Sequence, residues 1–416
     1  LLKNNGILLI SFPTSYPDVI DNRDKNGRLF YIRSKDEYLL LLERIGFTLI
    51  HEEVSDDALN REDTSWTTLT LKKKYVDGIR PIDKIESIIR EDKKVTTYKF
   101  GLLRALGELS SNPRNQITWN KEGNVLLPVD IVSDKWIEYY WPLMVGDKVI
   151  YQGQRIKDKQ DIKFRTMLTK LVNHWEEKAD GYLKFENGYR KGSFTANEDK
   201  LYKEVKKLIK DAIITGPVKY MGNDKTGSLL TSRKGQIIIP GELWREFSLM
   251  GRWFEDSIIL RWAEITADYK HQPEGVTKAY VLGKLLQLAD LKRSTNYTRD
   301  IFDSIEDKVC VWSDIKLDNS YAVDHAIPYS IWKNNAAWNL FPTDNKVNGL
   351  KSDKLPTKQF LTSRKDRIYE YWDRVYEKEK NLFQKDLSHI TPNITYSNKT
   401  REDVFNYFSE HMEMLA

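Results

Sequence analysis

From Ile79 to Leu291 the apolar residues recur mostly three and four apart, whereas on either side of that stretch they come in short runs that read as strands. A chain patterned this way cannot close into one sheet or one bundle. It predicts an α+β multidomain protein: strands and a helix first, a mostly helical middle region, then two short strands and further helices. The length of 416 residues predicts two to four domains. A net charge of +5 is mildly basic at this length; it permits nucleic-acid binding without arguing for it. No run is long enough to span a bilayer, and no signal peptide is visible, so no membrane association is expected. Cys310 is the only cysteine, which excludes an internal disulfide and fits a reducing, cytoplasmic setting. The chain starts at Leu1 within what reads as a structural element, which suggests a piece of a longer protein.

The first strand, "GILLISFP", is almost wholly apolar, as for a strand buried on both faces. In "SKDEYLLLLERIGF", Ser34 and Glu37 form a capping-box pattern, Tyr38, Leu41, Leu42 and Ile45 make an apolar face, and Gly46 is a stop. "FTLI" and "WTTLTLKK" read as two more strands. The order strand, helix, strand, strand suggests the closing edge of an α/β sheet. Through "LLKNNGILLISFP", "LLERIGF" and the last strand near Trp66, this segment resembles the C-terminal part of a class I S-adenosylmethionine-dependent methyltransferase. That family's glycine-rich cofactor loop would lie upstream of Leu1, so the resemblance implies no cofactor binding by this chain. Any doubly wound sheet edge is the alternative.

In the middle region Pro81 suits a first helical position, with Ile82, Ile85, Ile88 and Ile89 on one face. "TTYKFGLLRALGEL" continues as helix, "NPRNQITWNKEGNVLLP" breaks into two strand-like pieces, and "DKWIEYYWPLM" is aromatic core. Residues 152–163 read as a loop, followed by a helix with His174 and Trp175. "LYKEVKKLIKDAI" is amphipathic, with Lys203, Lys206, Lys207 and Lys210 as a solvated face rather than a phosphate-contacting one. "GQIIIPGELW" is a strand ending at Pro240 and then a helix; "VTKAYVLGKLLQLADL" is another. Tryptophans at helical spacing are read as core before base-stacking.

The chemistry concentrates in "SYAVDHAIPYSIWKNNAAWNLFPTDNKVNGLKSDKLP", residues 320–356. Two short apolar pieces and a short helix carrying Asn348 and Lys351 three apart could bring Asp324, His325, Asn348 and Lys351 together. Phosphodiester hydrolysis needs a base active near neutral pH, which suits histidine, and neutralisation of charge on phosphate and leaving group. A carboxylate and an amide carbonyl suit a hard cation, and a lysine adds positive charge. Singly, an Asp-His pair is usually structural, Asn339 a turn residue and Asn348-Gly349 a turn signal. Together, with "IPYS", "WNLFP" and "KSDKLP" around them, these residues resemble the HNH endonuclease motif, or ββα-metal finger. Asn339 follows His325 by 14 positions, Asn348 comes 9 later, and Lys351 another 3.

The resemblance implies roles. Asp324 and Asn348 would hold Mg²⁺ or Mn²⁺. The catalytic positions would be His325 as general base, Asn339 holding the hairpin and through it the imidazole, and Lys351 assisting at the phosphate or leaving group. Many HNH domains also carry two Cys-x-x-Cys pairs. Here those positions are Cys310 and Ser313, then Asp344 and Val347, so no structural zinc is expected. Packing by Trp312, Trp332, Trp338 and Phe341 would hold the finger instead. His51, His174, His271, His389 and His411 have no comparable partners nearby in sequence. Beyond the finger, "KQFLTSRKDRIYEYWDRVYEKEKNLFQKDL" reads as one long helix, with Phe360, Tyr369, Trp372 and Tyr376 on the core side. Arg364, Lys365 and Arg367 read as a solvated face before a backbone-contacting one, and "TREDVFNYFSEHMEML" closes the chain as a helix.

The expected divisions are therefore residues 1–75, the C-terminal remnant of a class I methyltransferase-like α/β domain; 76–300, a mostly helical scaffold; 301–357, the HNH nuclease domain; and 358–416, C-terminal helices packing on it. The function expected is a divalent-metal-dependent HNH endonuclease acting on double-stranded DNA, as a homodimer where both strands are cut, in restriction or anti-phage defence. Two alternatives stand beside it: a silent HNH module that grips nucleic acid or a partner protein, and an accessory part of a DNA methyltransferase.

Overall fold

Ser34 and Glu37 close the capping box that their spacing predicts. In the computed structural model of the protein, the Ser34 N–H donates to the Glu37 carboxylate at 2.8 Å and the Glu37 N–H to Ser34 Oγ at 3.2 Å. The structure describes residues 6–15, 34–44, 46–58, 64–73, 80–91, 94–111, 117–154, 161–176, 181–222, 229–292, 295–391 and 394–415. They form an α+β protein that divides into two units, Leu1–Ile88 and Ile89–Ala416.

In the first unit β1 (Ile7–Ser15), β2 (Phe47–Asp56) and β3 (Ser65–Lys73) make an antiparallel sheet of order β1-β3-β2, with α1 (Lys35–Arg44) between β1 and β2 in sequence. Phe12, Leu42, Leu69 and Leu71 form its small core, packed by Leu8, Ile10, Tyr38 and Leu39. Two expectations need correction. β1 is buried on one face only: Ile7 and Leu9 are 60% and 65% exposed, because side chains alternate and the core lies on the side of Leu8, Ile10 and Phe12. In α1, Leu41 is exposed and Leu39 takes its place on the buried face, while Ile45 lies outside the described residues. Gly46 leaves the helix at φ +90°, the left-handed geometry that ends helices.

Pro81 starts α2 (Pro81–Arg90), which presents Ile85, Ile88 and Ile89 as a buried stripe. Beyond α2, the second unit holds α3 (Tyr98–Ser110), β4 (Thr118–Trp119), β5 (Val125–Pro128) and α4 (Val129–Met144). Next come α5 (Arg165–Glu176), α6 (Gly181–Lys191), α7 (Ala196–Ile213), β6 (Thr231–Arg233), β7 (Gln236–Ile239), α8 (Gly241–Ala267), α9 (Lys278–Lys292) and α10 (Asn296–Asp303). The core here is aromatic. Tyr140 lies with its ring 5.1 Å from those of both Trp262 and Phe164, and Trp136 and Trp141 are fully buried. Gln152 satisfies the polar edges, accepting from Trp262 Nε1 at 2.8 Å and from Thr97 Oγ1 at 3.0 Å. α3 and α8 meet at Gly107 and Gly251, where a Cβ on Gly251 would lie 2.5 Å from the Gly107 carbonyl oxygen. The α7 lysines are largely engaged: Lys206 with Asp134 at 2.9 Å, Lys210 with Asp130 at 3.2 Å, Lys203 with Asp199 at 2.5 Å. No described helix is long and apolar enough to cross a membrane.

The remaining elements are β8 (Ala322–His325), β9 (Leu340–Thr343), α11 (Asn345–Lys351), α12 (Lys358–Ser363), α13 (Lys365–Lys378), α14 (Lys380–Leu387) and α15 (Arg401–Leu415). The expected single helix is three helices, broken at Arg364 (ψ 4°) and Glu379 (φ −136°, ψ 57°). A straight helix of about 30 residues would be about 45 Å long. Breaking it lets Leu361, then Ile368 and Trp372, then Leu382, Phe383 and Leu387 all reach the core formed with Trp312, Trp332, Trp338 and Phe341. Phe360 is 38% exposed at the rim, its ring 5.9 Å from that of Trp312. Arg364 and Arg367 pair with Asp314, and Lys365 with Glu402.

Candidate active site

Asp344 sets the geometry of the short helix. Its carboxylate accepts from the N–H groups of Lys346 at 2.9 Å and Val347 at 3.1 Å, capping α11 where β9 ends. β8 and β9 pair antiparallel, Asp324 opposite Phe341 and His325 opposite Leu340, and α11 packs on β8. The two strands and helix therefore form a ββα unit, with Asp324 and His325 at the end of β8 and Lys351 at the end of α11.

Alternation along β8 buries Asp324 and leaves His325 half-buried. Trp312 Nε1 donates to Asp324 Oδ2 at 2.7 Å, and Lys351 Nζ lies 3.3 Å from Oδ1 while donating to the His325 carbonyl at 2.7 Å. Burial pushes the Asp324 carboxyl above its usual range, opposed by the Lys351 charge. Burial likewise pulls the Lys351 ammonium down, opposed by Asp324. Two donors aimed at one carboxyl group fit its ionised form, so the charged pair is the state these hydrogen bonds favour.

His325 Nε2 lies 2.6 Å from Asn335 Oδ1, and its ring centroid is 5.3 Å from that of Tyr329. The Asn335 amide donates in turn to the carbonyl of Lys292, at the end of α9. Asn339 is fully buried. Its Oδ1 accepts from the Ile327 N–H at 2.7 Å; its Nδ2 donates to the carbonyls of Ile327 at 3.0 Å and Asn334 at 3.2 Å. It clamps the loop that leaves His325.

The structure thus joins Asp324, His325 and Lys351, and places Asn348 on α11, half-buried, one turn before Lys351. Asn339, fully buried, bonds the backbone of the loop that follows His325, and the direct contact with the ring comes from Asn335. Lys351 Nζ reaches Asp324 and the His325 carbonyl. Sequence reasoning missed Asn335 and gave Trp312 only a packing role. Nothing in "WKNNAAW" separates Asn335 from Asn334, which instead caps the turn by accepting from the Ala336 N–H at 2.6 Å.

Among the described residues no three His, Cys, Asp or Glu side chains cluster as a metal site, so a cation here would draw on Asp324 and on Asn348, carried on α11 one turn before Lys351. A carboxylate and an amide are hard oxygen ligands of the type such a cation takes, and the Asp324 oxygens are engaged here by Trp312 and Lys351. Of the positions matching the cysteine pairs, Cys310 is buried in the core, Asp344 is the α11 cap, and Val347 packs against the core.

Residues 78–285, half of the chain, match the family model described as Domain of unknown function (DUF8808). The chain belongs to this family. Residues 307–357 match the model described as HNH endonuclease, so the DUF8808 region is followed by an HNH endonuclease domain, which contains the whole ββα unit. Neither model reaches the first 77 residues, and the resemblance of that segment to a methyltransferase gains no support from them. No curated protein and no solved structure matched the chain.

Proposed function

We propose that the protein is a divalent-metal-dependent HNH endonuclease that hydrolyses phosphodiester bonds in DNA. The observation that carries this reading is the convergence at the end of β8: the imidazole of His325, the buried carboxylate of Asp324, and Lys351 bridging Asp324 to the His325 backbone. His325 takes the proton of the attacking water. Asp324 and the Asn348 amide oxygen hold Mg²⁺ or Mn²⁺, which when bound neutralises charge on the phosphate and leaving oxygen. Lys351 balances the Asp324 charge and fixes the strand end that carries His325. Asn339 positions the loop behind the ring.

Plasmid cleavage tests this. Nicking or linearisation is expected with Mg²⁺ or Mn²⁺, is abolished by chelator, and falls by at least about 100-fold in His325→Ala, at the low end of what a general base contributes. Asn348→Ala is expected to raise the metal concentration needed. Undiminished cleavage in both variants would remove this site from the reaction.

One observation favours a second reading, a silent nucleic-acid-binding module. The Asp324 carboxylate already has a cationic partner in Lys351, both side chains being about nine-tenths buried. That reading predicts DNA binding that survives His325→Ala and no metal-dependent cutting by the parent chain. The defence role and the methyltransferase kinship of the first unit remain parts of this proposal, supported by the side-by-side occurrence of the two resemblances.

A further inference from the structure

We infer that Asn335 is the positioning residue of the histidine, and that the DUF8808-side helix α9 sets the orientation and protonation pattern of the His325 ring through it. The inference rests on His325 being the general base. Its elements are a helix end, an amide and an imidazole in series. The last carbonyls of a helix have no partner within it. The Lys292 carbonyl, at the end of α9, is one of these, and the Asn335 Nδ2–H₂ donates to it. A carbonyl only accepts, so the amide can present only its nitrogen to Lys292. The amide oxygen is thereby turned to the imidazole, where Oδ1 lies 2.6 Å from Nε2. An amide oxygen also only accepts, so Nε2 must carry the hydrogen. A neutral ring of this tautomer carries its lone pair on Nδ1.

The anchor is itself held. The Lys292 ammonium bonds Glu138 of α4 at 3.0 Å and Glu186 of α6 at 3.2 Å. Lys135 joins the same network through Glu138, at 3.0 Å, and Glu108. Tyr329, whose ring lies against His325, lines a small cavity together with Glu108, Glu138 and Lys292. The end of α9 is therefore pinned by two helices, α4 and α6, and Asn335 transfers that fixed point to the ring. On this account the helical region does more than carry the finger: it supplies the carbonyl that orders the base.

The test uses the full chain with ¹⁵N-labelled histidine, the His325 signals assigned by their loss in His325→Ala. Expected in the parent at alkaline pH is an exchange-protected imidazole proton bonded to Nε2. Asn335→Ala is expected to lose that protection. Asn335→Asp, which can still accept from Nε2–H but cannot donate to the Lys292 carbonyl, is expected to keep the proton on Nε2 with reduced protection. In cleavage assays Asn335→Ala is expected to lower kcat by about 10–100-fold, the size of effect seen on removing the outer hydrogen-bond partner of a metal-bound histidine, with KM unchanged. A protected proton on Nδ1 in the parent, protection that survives in Asn335→Ala, or an unaltered kcat in that variant while His325→Ala is inactive, would each overturn the assignment. A parent chain that cuts no DNA yet shows the Nε2 proton would sink the nuclease reading and leave the ring's orientation by Asn335 standing.

Discussion

Replacing Asn339 by alanine removes a side chain whose whole hydrogen-bonding capacity on one loop can be counted. Three bonds are lost, to the N–H and C=O of Ile327 and the C=O of Asn334. The site is fully buried, so water does not replace them. An orphaned buried N–H costs about 1–3 kcal/mol, and each carbonyl losing a donor adds roughly 0.5–1 kcal/mol. The expected destabilisation is about 2–5 kcal/mol, read by urea unfolding followed through tryptophan fluorescence. Asn339→Asp separates hydrogen bonding from shape. At pH 7 its carboxylate still accepts from Ile327 but faces two carbonyls as an anion, so it is expected to be at least as damaging as alanine. On acidification the protonated carboxyl regains a donor, and the deficit relative to the parent should shrink. A loss below about 1 kcal/mol in Asn339→Ala, or an aspartate variant insensitive to pH, would refute the clamp.

Asp386 accepts from Arg190 and from the Ala337 N–H at 2.7 Å while almost wholly buried, so Asp386→Ala should cost about 3–5 kcal/mol by stranding a buried guanidinium, measured by thermal unfolding. Gly251→Val should destabilise by about 1–3 kcal/mol or more, since its Cβ meets the α3 backbone; unchanged stability would mean α3 and α8 do not pack as described. Burial lowers the Lys385 ammonium to about 8, where it sits over the Tyr189 ring. Its folded value being below its unfolded one, the unfolded chain binds more protons between about pH 8 and 10, and the parent should gain stability relative to Lys385→Met as pH rises through that window. A flat difference between the two unfolding profiles would contradict this.

How much of the molecule the sequence settles is visible at particular residues. Local signals needed no tertiary knowledge: the Ser34–Glu37 box, Pro81 at the start of α2 and Gly46 as a stop arise from contacts within a few residues, and the strand–strand–helix order around His325 from one hairpin. The candidate catalytic residues were legible for the same reason, since Asp324, His325, Asn348 and Lys351 lie within one short hairpin and helix. What only the fold decided are contacts made across long sequence separations. β5 finds β7, Val125 opposite Ile239, to build a sheet that neither strand announces. One helical pattern breaks at Arg364 and Glu379 because its apolar residues must all reach one core. Lys351 turns inward because the buried Asp324 carboxylate needs a cation, and Asn335 faces His325 with its oxygen because its nitrogen donates to the Lys292 carbonyl 43 residues earlier. Periodicity and spacing report what a residue does to its neighbours in the chain; burial and distant hydrogen bonds depend on which surfaces meet.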